Sequence, residues 1–191
     1  GDVGSGKTLV AFLAMLIAVE AGAQAALMAP TELLARQHYA TIAPLAEATG
    51  VRLALLTGRD GQKQKKETMR GLADGSIGLV IGTHALVQEE VEFADLALAV
   101  VDEQHRFGVE QRAALVAKGT APDVLLLSAT PIPRSLALTT FGDLDMSIIR
   151  ERPPGRGVIR TAVRTESQRE GVYEFVEREC LTGRQAYVVL P

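Results

Sequence analysis

The sequence GDVGSGKT at residues 1–8 decides the fold. It matches G-x-x-x-x-G-K-[ST] at every fixed position, a loop whose backbone N–H groups surround phosphate oxygens. Lys7 is expected to reach the β- and γ-phosphates, and the Thr8 hydroxyl to hold Mg²⁺ at the start of a helix. A glycine-rich turn that only caps a helix is the alternative, but the apolar run at 9–19 favours a nucleotide-binding loop.

The same apolar run, with Lys7 before it and AGAQA at 21–25 after it, also resembles a secretory signal peptide. The run is too short for a membrane span, which needs about 20 apolar residues. The phosphate-loop pattern is the more demanding match. Because the chain begins with Gly1 and not with Met, we interpret it as a piece of a longer protein.

Outward from the loop, short apolar runs alternate with longer amphipathic stretches, which is typical of βαβ units around a parallel sheet. The pattern predicts helices over 6–21, 31–49 and 61–73 and strands over 25–28, 52–55, 77–81, 97–101 and 124–127. Runs such as LALAVV and VLLL are typical of interior strands covered on both faces. We predict an α/β fold, a parallel sheet with helices on both faces, from which the first strand, leading into the loop, is missing.

Composition changes at RERPPGRG, residues 150–157, where prolines and glycines lie among arginines. We interpret 150–158 as a linker between a first domain at 1–149 and a truncated second one at 159–191. In the second, the pattern predicts a strand at 159–163, a helix at 167–180 and a strand at 186–190. One such unit is too short to bury a core of its own.

Composition excludes several classes of protein. The 20 Lys and Arg against 23 Asp and Glu give a net charge of −3, which disfavours a pure duplex-binding module. Aromatic residues are only 4% with no Trp, which disfavours a base-stacking platform. With Cys180 as the single cysteine, no intrachain disulfide can form, which fits a reducing, cytoplasmic location.

Asp102 and Glu103 directly follow the apolar run LALAVV. An acid at the end of a strand can hold Mg²⁺ through water, and its neighbour can polarise an attacking water for phosphoryl transfer. Two adjacent acids alone would more often be solvated turn residues. A phosphate loop upstream makes the catalytic interpretation the stronger one.

Several short strings narrow the class. DEQH at 102–105 and SAT at 128–130 resemble motifs of superfamily 2 helicases, as do APTELLARQ at 29–37, TG at 57–58 and GTHAL at 82–86. They follow the order of that superfamily and cover nearly the whole chain. The resemblance implies a RecA-like fold for the sheet.

Longer strings resemble the RecG family of branched-DNA helicases. They are DEQHRFGVEQR at 102–112, SATPIPRSLALTTFGDLD at 128–145 and RPPGR at 152–156. The transcription-repair coupling factors are similar through HRFGV and ATPIPR but differ after them, so an Mfd-like translocase stays the alternative. Ser128 stands where many relatives carry Thr, and it keeps the hydroxyl.

The resemblance implies roles at matching positions. ATP and Mg²⁺ would be bound by residues of the loop and the first acid, namely Gly4, Ser5, Gly6, Lys7, Thr8 and Asp102. Glu103 would position the attacking water. Three residues would couple the nucleotide to DNA and to the second motor domain, namely His105, Ser128 and Thr130. Four would lie along the DNA, namely Pro30, Thr31, Gly58 and Thr83. From the residues alone, Thr31 is equally well explained as a helix N-cap.

The implied activity is ATP-driven remodelling of branched double-stranded DNA, such as stalled forks and Holliday junctions, in recombination and repair. A non-motor P-loop enzyme, such as a kinase, remains a second hypothesis. We expect the segment by itself to bind nucleotide weakly and not to unwind DNA, because such motors need an arginine from the second domain.

Two other features favour ordinary explanations. The basic run KQKK at 63–66 is more typical of a solvated helix face than of a DNA contact. His38, beside Tyr39 on a predicted helix, is expected to be a packed or exposed surface residue and not a ligand.

Overall fold

The computed structural model describes residues 1–103, 107–129, 145–151, 157 and 159–189. The chain divides into two compact units, Gly1–Pro153 and Pro154–Pro191. The elements of the first unit, in chain order, are α1 (Lys7–Glu20), β1 (Gln24–Met28), α2 (Glu32–Ala48), β2 (Leu53–Leu56), α3 (Gln62–Ala73), β3 (Leu79–Gly82), a 3₁₀ turn (His84–Val87), β4 (Leu96–Asp102), α4 (Val109–Val116) and β5 (Asp123–Leu127).

The five strands form one sheet in the order β2-β3-β1-β4-β5, and every neighbouring pair is parallel. Strand β1 lies at the centre, and all five of its residues are buried. Because the pairs are parallel, the carboxyl ends of all five strands lie along one edge of the sheet. The predicted α/β fold with a parallel sheet is confirmed.

The core has two halves, one on each face of the sheet. Ala25 and Leu27 of β1 pack in one cluster with residues of α1 and α2, among them Phe12. The alternate residues Ala26 and Met28 pack in the other cluster, with Leu72 of α3 and Leu115 of α4. This alternation follows from the two-residue period of a strand, and it explains why residues 25–28 of β1 are all apolar.

The amino end of β1 is held by a buried amide. Gln24 Nε2 donates to the carbonyl oxygens of Leu72 (3.0 Å) and Ile77 (2.8 Å), and Gln24 Oε1 accepts from the N–H of Asp95 (3.0 Å). These bonds join β1 to the last turn of α3, through Leu72, and to the residues just before β3 and β4, through Ile77 and Asp95. A buried amide with its hydrogen bonds satisfied fixes local geometry.

One feature of the first unit differs from the sequence predictions. Helix α4 was not predicted, because its two turns are too short for a periodic pattern to stand out. Among the described strands, β5 is the last of the sheet, on the side where Gly1 lies, and 124–126 are half-buried.

The second unit contains a 3₁₀ turn at Glu166–Gln168 and helix α5 at Arg169–Leu181, so the helix predicted there is confirmed. The predicted strands are wrong for the described residues 159–163 and 186–189, which have no strand structure. A strand needs a hydrogen-bonded neighbour, and the described residues of this unit form no such pair. None of the described helices is long and apolar enough to span a membrane.

Gly82 ends β3 in a position with no room for a side chain. A Cβ there would clash with the carbonyl oxygen of Leu56 and lie 2.8 Å from Cγ of Leu86. We expect Gly82→Ala to destabilise this edge of the sheet by about 1–3 kcal/mol, measured as faster amide hydrogen exchange in β2 and β3.

The control is Gly61→Ala, since a Cβ at Gly61 meets nothing within 4 Å. This variant should leave the exchange of β2 and β3 unchanged. Equal exchange in the two variants would show that the packing against Leu56 is not restrictive.

Candidate functional site

The loop at 1–8 is closed by its own lysine. Lys7 Nζ donates to the carbonyl oxygens of Gly1 (2.7 Å) and Asp2 (2.8 Å). Gly4 and Gly6 have φ angles of 78° and 93°, in the left-handed region that favours glycine. The pattern of glycines is therefore a requirement of the backbone path.

Helix α1 begins at Lys7 with an unneutralised N-terminus. Its N-cap is Gly6, no side chain among the described residues caps it, and its first turn has no acidic residue. The first amides of a helix lack partners inside the helix and attract anions. The loop thus presents a positive helix end and a lysine ammonium group close together.

The acid pair lies at the end of β4. Asp102 is 7% exposed, and its Oδ1 accepts from the backbone N–H of Glu103 at 2.9 Å. Glu103 is the one non-glycine residue described with a positive φ, 48°. A backbone of this kind costs free energy and is found most often at functional sites.

The loop and the acid pair lie at the same edge of the sheet. The Gly1 amino group lies 3.4 Å from the carbonyl oxygen of Ser128, the residue directly after β5. The last residue of β5, Leu127, is paired with Asp102 of β4. The loop at 1–8 therefore lies next to the end of β5, and β5 neighbours the strand that ends at Asp102. About a hundred residues separate the loop from the acid pair in sequence.

His38 of helix α2 contacts the acid pair at this edge. The sequence analysis did not predict this contact. Its Nε2 lies 2.8 Å from Oδ2 of Asp102, and both side chains are about a tenth exposed (11% and 10%). His38 was expected to be a packed or exposed surface residue and not a ligand, and that expectation did not include a contact with Asp102. His38 lies three residues after Ala35 and four before Ile42, both buried on the inner face of α2, and this spacing was the available signal.

The two strand ends on the other side of β1 carry buried hydroxyl groups. Thr57 follows β2, Thr83 follows β3, and their preceding residues Leu56 and Gly82 are paired. Both threonines are buried, at 0% and 4% exposure, and within the described residues neither hydroxyl has a hydrogen-bond partner. Buried hydroxyls without partners are rare in native structures.

Other residues predicted for this edge have different surroundings. Thr31 is the N-cap of α2, and its Oγ1 accepts from the N–H of Leu34 at 3.3 Å. Pro30 beside it is half-buried, and Gly58 is exposed. The Thr31 hydroxyl therefore acts as a helix N-cap, which was the alternative interpretation, and the residue is exposed. His105 and Thr130 lie outside the described residues.

A charged cluster supports the loop after β2. Asp60 Oδ2 accepts from the N–H of Thr57 at 2.5 Å, and Asp60 Oδ1 pairs with Arg36 at 3.1 Å. Arg36 also pairs with Glu32 at 2.9 Å. The hydrogen bond from Glu32 raises the pKa of Arg36 above its usual value, so Arg36 stays charged in this cluster. The cluster ties the start of α2 to the loop at Thr57.

The basic run at 63–66 lies on α3 and is mostly exposed. Lys65 Nζ donates to the carbonyl oxygen of Gly58 at 2.7 Å, which brings a cation beside the loop after β2. In the part of the chain that the structure describes, no three His, Cys, Asp or Glu side chains form a group that could hold a metal ion.

Comparison with known proteins gives a consistent result. The family model for DEAD/DEAH box helicases matches residues 1–139. The chain is 52% identical to the ATP-dependent DNA helicase RecG of Synechocystis sp. and 51% identical to that of Bacillus subtilis, in both cases over its whole length. It spans 23% and 28% of these two relatives, about a quarter of their length.

Solved structures give the same picture. A structure of RecG bound to a three-way DNA junction matches the whole chain with a TM-score of 0.85 and 48% identity, and the match covers 26% of that protein. A hypothetical ATP-dependent RNA helicase from Sulfolobus tokodaii matches 76% of the chain with a TM-score of 0.59 and 20% identity, which shows the fold alone. The resemblance to RecG predicted from the motifs is confirmed.

Asp60 provides a test of the charged cluster. We expect Asp60→Ala to leave the N–H of Thr57 without its acceptor, at a local cost of about 1–3 kcal/mol. Hydrogen exchange of the amides at 56–58 should become faster by tenfold or more.

Asp60→Asn is the matched control, since its amide oxygen can still accept from Thr57 N–H. It should restore most of the protection. If Asp60→Ala exchanges as slowly as the unmodified protein, the carboxylate does not hold this loop.

Proposed function

Because the chain belongs to the DEAD/DEAH box helicase family and resembles RecG over its whole length, we propose that it is the ATP-binding part of a motor that remodels branched DNA. The single observation that carries this proposal is the proximity of the loop at 1–8 to Asp102 and Glu103 at one edge of the sheet. An ATPase needs a phosphate-binding loop and acidic residues in one cleft. We propose the division into a first motor domain at 1–149, a linker at 150–158 and the start of a second motor domain at 159–191.

ATP is bound through the loop in this proposal. The backbone of Gly4, Ser5 and Gly6 surrounds the phosphates, which the positive φ angles of the two glycines support. The ammonium group of Lys7 bridges two loop carbonyls and keeps a third donor for the β- and γ-phosphates. The uncapped N-terminus of α1 adds an attractive positive potential.

Mg²⁺ is held by Thr8 and Asp102 in this proposal. Among the described residues, each carboxylate oxygen of Asp102 has one hydrogen-bond partner, Glu103 N–H at Oδ1 and His38 Nε2 at Oδ2, and so keeps a further lone pair. The donor set fits, since Mg²⁺ usually binds one or two protein oxygens together with substrate phosphates and water. When bound, the ion would neutralise charge on the β- and γ-phosphates.

Glu103 positions the attacking water. Its backbone has a φ of 48° directly after Asp102, the last residue of β4, so Glu103 is not part of the strand. A carboxylate beside the γ-phosphate orients the water and accepts its proton as the bond to phosphorus forms.

The DNA backbone runs along the other strand ends in this proposal. Pro30, Thr31, Gly58 and Thr83 follow β1, β2 and β3, whose carboxyl ends share one edge. The exposed Gly58 supports a phosphate contact there, and within the described residues the Thr83 hydroxyl has no competing protein partner. His105, Ser128 and Thr130 couple the nucleotide to this path and to the second motor domain.

A branched duplex is the proposed substrate, and the similarity to RecG on a three-way junction supports it. In the full-length protein, we expect ATP-dependent unwinding of a synthetic three-way DNA junction. Lys7→Ala should abolish binding of a fluorescent ATP analogue and lower ATP turnover by about 100-fold or more, because it removes a phosphate donor.

The matched control is Lys66→Ala, which removes an exposed lysine outside the loop and should bind the ATP analogue normally. Unchanged ATP affinity in Lys7→Ala would show that the loop assignment is wrong. ATP turnover that DNA does not stimulate would instead favour a non-motor P-loop enzyme.

Glu103→Gln separates binding from hydrolysis. The amide keeps the size of the side chain but is a poor proton acceptor, so ATP affinity should change little while turnover falls by about 100-fold or more. Rapid-quench measurement of phosphate release checks this. Glu89→Gln, at an exposed loop position, should behave like the unmodified protein. A Glu103→Gln variant with normal turnover would assign the water to another residue.

A further inference from the structure

The contact between His38 and Asp102 is not used by the roles proposed above. The two residues are 64 positions apart in sequence, and their Nε2 and Oδ2 atoms lie 2.8 Å apart. Both side chains are about nine-tenths buried. Hydrogen bonds to a carboxylate in such surroundings are stronger than those at the surface, because water does not compete for either partner.

The carboxylate of Asp102 is fixed from two sides. The N–H of Glu103 donates to Oδ1, and Nε2 of His38 lies at Oδ2. An ionised carboxylate only accepts hydrogen bonds, so the proton in the contact belongs to Nε2 of His38. Two bonds to two different oxygens hold the plane of the carboxylate in one orientation.

His38 itself has a fixed position. It lies on the inner face of α2, between the buried residues Ala35 and Ile42. The same helix begins at its N-cap Thr31, about 10 Å away along the helix axis. Helix α2 therefore carries both an end that lies at the edge proposed for DNA and a side chain that contacts the acid of the ATP site.

We propose that His38 is a positioning residue, whose Nε2–H orients the Asp102 carboxylate for the Mg²⁺ ion of the nucleotide. The inference rests on the proposed ATP site. His38 does not touch nucleotide or metal, and it acts only through Asp102. Residues that orient metal-binding groups in this way commonly contribute about 10- to 100-fold to metal affinity or activity.

A merely structural contact makes a different prediction. If His38 only helped to pack α2 against the sheet, its removal would weaken nucleotide binding with and without Mg²⁺ to the same extent. A positioning role affects only the part of the affinity that Mg²⁺ adds. A neutral side chain that donates from the same place should then restore it, and the amide Nε2–H of glutamine is such a donor.

The experiment measures the affinity of the full-length protein for the fluorescent nucleotide mant-ADP, in Mg²⁺ and in EDTA. For His38→Ala we expect the gain in affinity due to Mg²⁺ to fall by about 10-fold, with the affinity in EDTA unchanged. His38→Gln should recover the gain to within about threefold. The Mg²⁺ concentration for half-maximal ATP turnover should rise and recover in parallel. Glu47→Ala, an exposed change on the same helix, serves as the control.

Three outcomes would overturn the proposal. One is a normal Mg²⁺ gain in His38→Ala. Another is an equal loss of affinity in Mg²⁺ and in EDTA, which identifies a structural role. The third is a failure of His38→Gln to recover, although its affinity in EDTA shows that it is folded. If the unmodified protein itself shows no gain from Mg²⁺, the proposed ATP site fails first and the inference falls with it.

Discussion

Parallel pairing around the buried strand β1 is the constraint on which the rest of the first unit depends. Since β1 pairs in parallel with β3 and β4, and these with β2 and β5, every strand ends at the same edge. Helices cover both faces, so polar residues that follow the strands have only this edge to occupy. The loop at 1–8, the acid pair and the proposed DNA path lie along one edge because of this geometry.

Buried polar groups are hydrogen-bonded at the amino end of β1, whereas two buried hydroxyls at the carboxyl edge have no hydrogen-bond partner among the described residues. At the amino end of β1, Gln24 makes three hydrogen bonds to backbone groups, and this arrangement contributes to stability. At the carboxyl edge, the hydroxyls of Thr57 and Thr83 have no partner among the described residues, and Glu103 has an unfavourable backbone angle. Unsatisfied groups and local strain cost stability, and they are tolerated where binding or chemistry repays them.

Helix α2 contacts both the loop after β2 and the end of β4. The helix is capped by Thr31 at the edge proposed for DNA, while Arg36 ties it to Asp60 and the loop after β2, and His38 contacts Asp102. One helix therefore carries two side chains, Arg36 and His38, that contact two of the segments proposed to bind DNA or nucleotide.

The sequence by itself determined the fold class, the order of most elements, the placement of Asp102–Glu103 at a strand end and that of GDVGSGKT at the start of a helix. These features depend on patterns of apolar, glycine and acidic residues that are close together in sequence, so the sequence alone is enough to predict them. Only the tertiary structure decided that Asp60 supports Thr57 and that His38 reaches Asp102. Those contacts join residues that are adjacent in space because of how strands and helices pack, and no local pattern specifies such pairs.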